Sequence, residues 1–259
     1  CYCGKYNGYL GREGLPSSKW FDNQEQVDNI RNKARRICNK INRISSSLPQ
    51  QIQTIQHGIK EDHYATKNTI NDMSSVSKSG GKRGHIRVLT VYERDSTRHF
   101  LDLDTFIKSL QHIINPSWTI RLVTHDENME PCKLQAAIHD TDFFLTTHGF
   151  QSTAIILLPQ GATIVEIFPY KYFKPSYMNL ATQLGIYHKW LQNTQPTSTS
   201  RAVLKYVSQE WCMGINRCRT HARGDSVAVT VEDLEFIQHT AEDIMYNKLE
   251  PLVPVFHQK

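Results

Sequence analysis

The sequence predicts an α/β fold over residues 85–259, with a parallel sheet covered by helices on both faces. Three observations lead there. Ile86 to Tyr92 is a β-branched run of the kind that forms a buried strand. Asp104 to Ile114 carries Phe106, Ile107, Leu110, Ile113 and Ile114 at helical spacing. The alternation then repeats, which parallel strands require because each needs a crossover to return the chain to the same end of the sheet. Trp118 to Thr124 reads as the second strand, Pro131 to Ala137 as the second helix and Asp142 to Thr146 as the third strand. Thr153 to Leu158 follows as the third helix and Ala162 to Phe168 as the fourth strand.

The residues before this domain read differently. Residues 1–21 are rich in Gly and contain Cys1 and Cys3, a composition suited to an irregular, cross-linked lead-in. Residues 22–64 form a helical extension. Within it Val27, Ile30, Ala34, Ile37, Ile41, Ile44 and Leu48 alternate by three and four, the seam of one amphipathic helix ending before Pro49. Packing on a neighbouring domain and a short coiled coil both account for that seam, and the helix over 22–48 is a candidate surface for a protein partner. Ile52, Ile55 and Ile59 suggest a second, shorter helix, and residues 65–84 read as a flexible linker closing in Ser79, Gly80 and Gly81.

Composition narrows the function classes. The net charge of +5, from 30 basic and 25 acidic residues, is mild and dispersed, so nucleic acid is not an expected partner. No run approaches the roughly 18 apolar residues of a membrane span. The six cysteines have no CxxC pairing, and with His139 and His148 far apart in the pattern no metal site is expected. Disulfides in an oxidising compartment suit them better, and Cys212 and Cys218 are close enough in sequence to bridge. No Asn-x-Ser/Thr sequon occurs.

Ligands of parallel sheets gather at the carboxyl ends of the strands, and three polar clusters fall there. Arg94 and Arg98 follow the first strand and suit a diphosphate through bidentate geometry, with surface ion pairs to Glu93, Asp95 or Asp102 as the alternative. His148 and Gly149 end the third strand and lead through Gln151, Ser152 and Thr153 into a helix whose free N–H groups would face an anion; simple helix capping is the alternative. Glu166 is a lone carboxylate in an apolar run, so it should meet a ligand hydroxyl, such as a ribose diol, or an internal cation. Tyr170 and Tyr172 lie in an aromatic run that could stack on a base or sugar, or pack in the core.

Three segments are similar, in order and spacing, to the signature of family 61 glycosyltransferases. They are Asp142 through Gly149, Leu158-Pro159-Gln160-Gly161-Ala162, and Val165-Glu166-Ile167-Phe168-Pro169. Arg94 and Arg98, the stretch Tyr177 to Tyr187, and Cys212 with Cys218 and Arg219 extend the likeness. The resemblance implies the Rossmann-like carboxy-terminal half of a GT-B fold. It also implies inverting, metal-independent transfer from a nucleotide sugar, of UDP type, to a protein or polysaccharide hydroxyl in the secretory pathway lumen or outside the cell. No cofactor is implied beyond the donor itself. Arg94, Arg98, His148, Gly149, Gln151, Ser152 and Thr153 would then face the donor phosphates, and Glu166 the ribose. Phe150 and Gln151 replace the small residues usual after His-Gly and are expected to reshape the phosphate pocket. No general base is assigned; Asp95, His99, Asp142 and His148 are placed near strand ends only. A non-catalytic descendant acting in a larger extracellular assembly is the alternative reading.

Overall fold

A computed structural model describes residues 20–47, 86–94, 97–125, 129–174 and 176–249. The chain divides into two compact units, Cys1–Ala34 with Ile86–Lys259, and Arg35–His85. The described part of the second unit is the carboxy-terminal portion of helix α1 (Gln24–Ser47), where Ile37 and Ile41 are exposed and Cys38 is buried. The shorter helix expected around Ile52–Ile59 and the linker over 65–84 lie outside the described residues, as does nearly all of the 1–21 lead-in.

The larger unit is built on a five-stranded sheet, parallel throughout, with strand order β2-β1-β3-β4-β5. Its elements run β1 (Arg87–Arg94), α2 (Leu103–Ile113), β2 (Trp118–His125), α3 (Pro131–Ile138), β3 (Phe143–Thr147), a 3-10 helix (Phe150–Leu157), β4 (Thr163–Phe168), α4 (Met178–Gln183) and β5 (Tyr187–Gln192). A second 3-10 helix (Thr199–Tyr206), α5 (Gln209–Gly214), α6 (Asn216–Arg223) and α7 (Val231–Met245) follow. The α/β class and the first four strands are as the sequence predicts. Strands β3 and β4 are buried at every position because both of their faces are covered.

Two apolar layers sandwich the sheet. One packs Phe144, Ile164, Ile155 and Leu180 with Phe21 and Val27, so the start of α1 belongs to this core. The other packs Phe143, Leu145, Val165 and Ile167 against Phe106 and Leu110 of α2 and Ile237 and Ala241 of α7. Alternate residues of β3 and β4 therefore feed opposite layers, as the two-residue repeat of a strand demands.

Two features depart from expectation. The helix expected over Thr153–Leu158 begins earlier, at Phe150, and is of the 3-10 type. Ser152, Ile155 and Leu158 are all buried, a spacing of three that a helix of three residues per turn brings onto one line. Strand β5 has no apolar run to announce it. All six of its residues are half-buried, as suits the edge of the sheet.

Candidate anion site at the switch point of the sheet

The strand order turns at β1, where the chain first builds outward to β2 and then returns to lay down β3 on the other side. Such a reversal leaves a crevice at the carboxyl ends of the two diverging strands. Arg94 closes β1 and His148 follows β3, so the two leading clusters meet at this crevice.

Glu93 shapes the first cluster. Its buried carboxylate accepts from the backbone N–H of Arg94 at 2.8 Å and of Phe100 at 3.1 Å, tying the end of β1 to Phe100. Burial pushes the Glu93 pKa up, against the pull of those two N–H groups. The loop is held further by Phe100, which bridges to Val227, and by Val227, whose N–H donates to the His99 carbonyl at 2.9 Å. Arg98 sits at φ 65°, a left-handed conformation uncommon for a residue with a side chain.

The surface ion pairs held open for these arginines do not form among the described residues. Glu93 binds backbone instead, Asp102 caps α2 by accepting from Thr105 N, and Asp95 lies outside the described residues. Arg94 Nη1 donates to Gln151 Oε1 at 2.8 Å, and Arg98 Nη1 donates to the His148 carbonyl at 3.0 Å. Arg94 Nε is buried with no partner. Burial, and then the like charges of Arg94 and Arg223, lowers the Arg98 pKa to about 10.

Gly149 is required by space. Its φ of 169° is extended backbone open to any residue, but an added Cβ would lie 2.3 Å from Gln151 Oε1, 2.6 Å from Arg94 Nη1 and 3.0 Å from Arg98 Nη1. Gln151 is buried, with its amide donating to the Thr147 carbonyl at 2.7 Å, so it stands beside Arg94 inside the crevice. Phe150 points outward and is 79% exposed; of the two bulky residues only Gln151 occupies the pocket.

Beneath the crevice lies a buried cluster centred on Glu166. Its Oε1 accepts from Ser152 Oγ at 2.9 Å and meets His148 Nδ1 at 2.7 Å, while Oε2 meets His188 Nε2 at 3.1 Å. Burial acts to raise its pKa, but the His148 and His188 rings outweigh that and hold it at about 2. Glu166 is thus satisfied inside the protein by two imidazole rings and a hydroxyl, and a ribose contact would require one of these bonds to open. His148 stacks on Phe168 with centroids 4.5 Å apart and lies near Tyr172 and Tyr177. Its Nε2 has no hydrogen-bond partner among the described residues.

The remaining sequence candidates lie as follows. Ser152 turns inward to Glu166, and Thr153 donates to the Phe150 carbonyl at 2.8 Å, so neither hydroxyl joins the arginines. Tyr172 is buried against His148, leaving no open face for stacking, and Tyr170 carries the Lys171 ammonium over its ring. Cys212 and Cys218 form a disulfide between α5 and α6; Cys38 and, separately, Cys132 are each in the disulfide state. Glu93 and His188 escaped the sequence reading. Glu93 looked like a surface charge beside two arginines, and His188 lies on the strand that the sequence did not announce.

These features define a Rossmann-like α/β domain with a cationic crevice at its switch point. Over 133 residues the chain is 30% identical to the protein O-linked-mannose beta-1,4-N-acetylglucosaminyltransferase 2 of Bos taurus, a match covering 48% of this chain and 22% of that protein. The likeness therefore reaches about a fifth of the relative's length. No family model matches the chain.

Proposed function

We propose that this domain binds a nucleotide sugar, of UDP type, and takes part in transferring the sugar to a hydroxyl of a protein or glycan. The observation that carries the reading is the pair of guanidinium groups at the switch point, neither of them paired with a carboxylate among the described residues. Two cations held partly out of water, whose hydrogen bonds among the described residues go to neutral oxygens, are poised for a polyanion. A departing nucleoside diphosphate gains negative charge as the sugar–oxygen bond breaks. Fixed cations at that point stabilise the transition state more than the ground state.

The buried cluster supports the same role. Glu166 holds the His148 ring through Nδ1 and so fixes the orientation in which the ring is presented. Inversion at the sugar carbon and independence from metal ions belong to this proposal, as does an acceptor held outside the described residues. The disulfides suit a secretory-lumen or extracellular setting. Among the described residues no helix is long and apolar enough to cross a membrane.

A second reading, a fold that binds without turnover, is favoured by Gln151. Its amide oxygen already occupies Arg94 at 2.8 Å and would have to yield to a phosphate. Calorimetry of the chain with UDP, UDP-N-acetylglucosamine and UDP-xylose, alongside Arg98→Ala, tests the proposal. Binding that is weakened at least tenfold in the variant supports a donor site; no binding to any of the three sinks the UDP-sugar reading. Donor binding without transfer, with affinity raised by Gln151→Ala, would favour the second reading.

A further inference from the structure

Arg223 ends α6, far along the chain from the two arginines of the β1 loop. The fold nevertheless brings these segments together. Phe100 bridges to Val227, Leu101 N donates to the Val227 carbonyl at 2.8 Å, and Val227 N donates to the His99 carbonyl at 2.9 Å. Backbone pairing thus locks the residue after Arg98 to a strand-like segment four residues past Arg223. Between them, Asp225 is buried and fixed by Thr197 and Arg201, so the link from α6 to this pairing is rigid.

The Arg223 side chain is exposed and has no hydrogen bond or ion pair with any described residue. It is also close enough to Arg98 and to the Tyr172 hydroxyl to act on the titration of both. Arg201 and Arg219, its basic neighbours, are otherwise engaged: Arg201 binds Asp225 and the His221 carbonyl, and Arg219 donates to the Met213 carbonyl. Like charges brought together without a counter-ion cost free energy, and a bound anion relieves that cost.

We infer that Arg223 is the third guanidinium of the anion site, joining Arg94 and Arg98 on a ligand that carries two linked phosphates. One phosphate meets the arginines of the β1 loop, and Arg223 reaches the other from the opposite wall. This deepens the nucleotide-sugar reading but needs only the diphosphate, so inorganic pyrophosphate is the probe that separates the two.

Pyrophosphate binding is to be measured by calorimetry at low salt on the 259-residue chain and on Arg223→Gln, Arg223→Lys and Arg217→Gln. Arg217 is an exposed arginine on the same helix and controls for net charge. Arg223→Gln is expected to weaken pyrophosphate about tenfold, Arg223→Lys less, and Arg217→Gln under about twofold. Thermal melts should match across all four proteins, since exposed substitutions rarely disturb folding. Equal effects at 217 and 223, no effect at either, or no pyrophosphate binding to the unaltered chain would overturn the inference. Pyrophosphate bound through Arg223 with every nucleotide sugar refused would sink the transfer reading and leave Arg223 standing. Nucleotide sugars bound equally with and without Arg223 would do the reverse.

Discussion

Glu166 keeps its charge at a position with no exposure because three side chains supply what water would. A carboxylate held at about 2 when folded, against 4.5 ordinarily, gives stability that is full above about pH 4.5 and is lost as pH falls toward 2. Chemical denaturation across that window should show the loss, and Glu166→Gln should flatten that part of the profile while lowering stability at neutral pH. A parallel profile for the variant would mean that other carboxylates dominate acid unfolding. Gly149→Ala is a second test at this scale. The added methyl would displace the ends of Gln151, Arg94 and Arg98, so the substitution should cost about 1–3 kcal/mol of folding stability. Anion binding should fall at least tenfold because both guanidinium groups must shift. The arginines, His148 and Gly149 were legible from strand-end position. What Glu166 does was not, because its partners come from a 3-10 helix and an edge strand whose lateral neighbours no local pattern reveals.

Elements carry the next set of effects. The first 3-10 helix buries Ser152, Ile155 and Leu158 in line, and a run such as Thr153 to Leu158 looks the same in sequence whether its period is 3.0 or 3.6. That ambiguity leaves the helix type open in the sequence, just as half-burial of all six β5 residues explains the unannounced strand. Strands β1, β3 and β4 were legible because burial on both faces forces continuous apolar runs. Ile155→Ala should cost about 2–5 kcal/mol in urea unfolding, whereas Phe150→Ala, at an exposed position, should cost less than about 0.5 kcal/mol. The Cys212–Cys218 bridge spans six positions, and removing it by paired Ser substitution should cost about 2 kcal/mol. Because the bridge ties α5 to the helix that ends in Arg223, the same variant should also bind pyrophosphate less tightly. Unchanged affinity would show that α6 is held by packing alone.

For the whole molecule, the decisive quantity is strand order. Order 2-1-3-4-5 puts the reversal between β1 and β3, and the carboxyl ends of those two strands carry the arginines and His148. Alternation in the sequence predicts parallel strands, but their lateral order is a property of long-range pairing that it does not encode locally. The net charge of +5 is modest, so anion recognition should depend on local placement and respond to salt less steeply than a broadly basic surface would. The Phe100–Val227 bridge has a further consequence, one of timing. A chain emerging from the ribosome presents the β1 loop early, while the segment that clasps it is synthesised long afterwards. Contacts this distant along the chain form late, since loop closure must be met before they return any stability. Until then the arginines lack their final setting, and a nascent chain should acquire its affinity for anions only after Val227 has been added and has paired with the β1 loop.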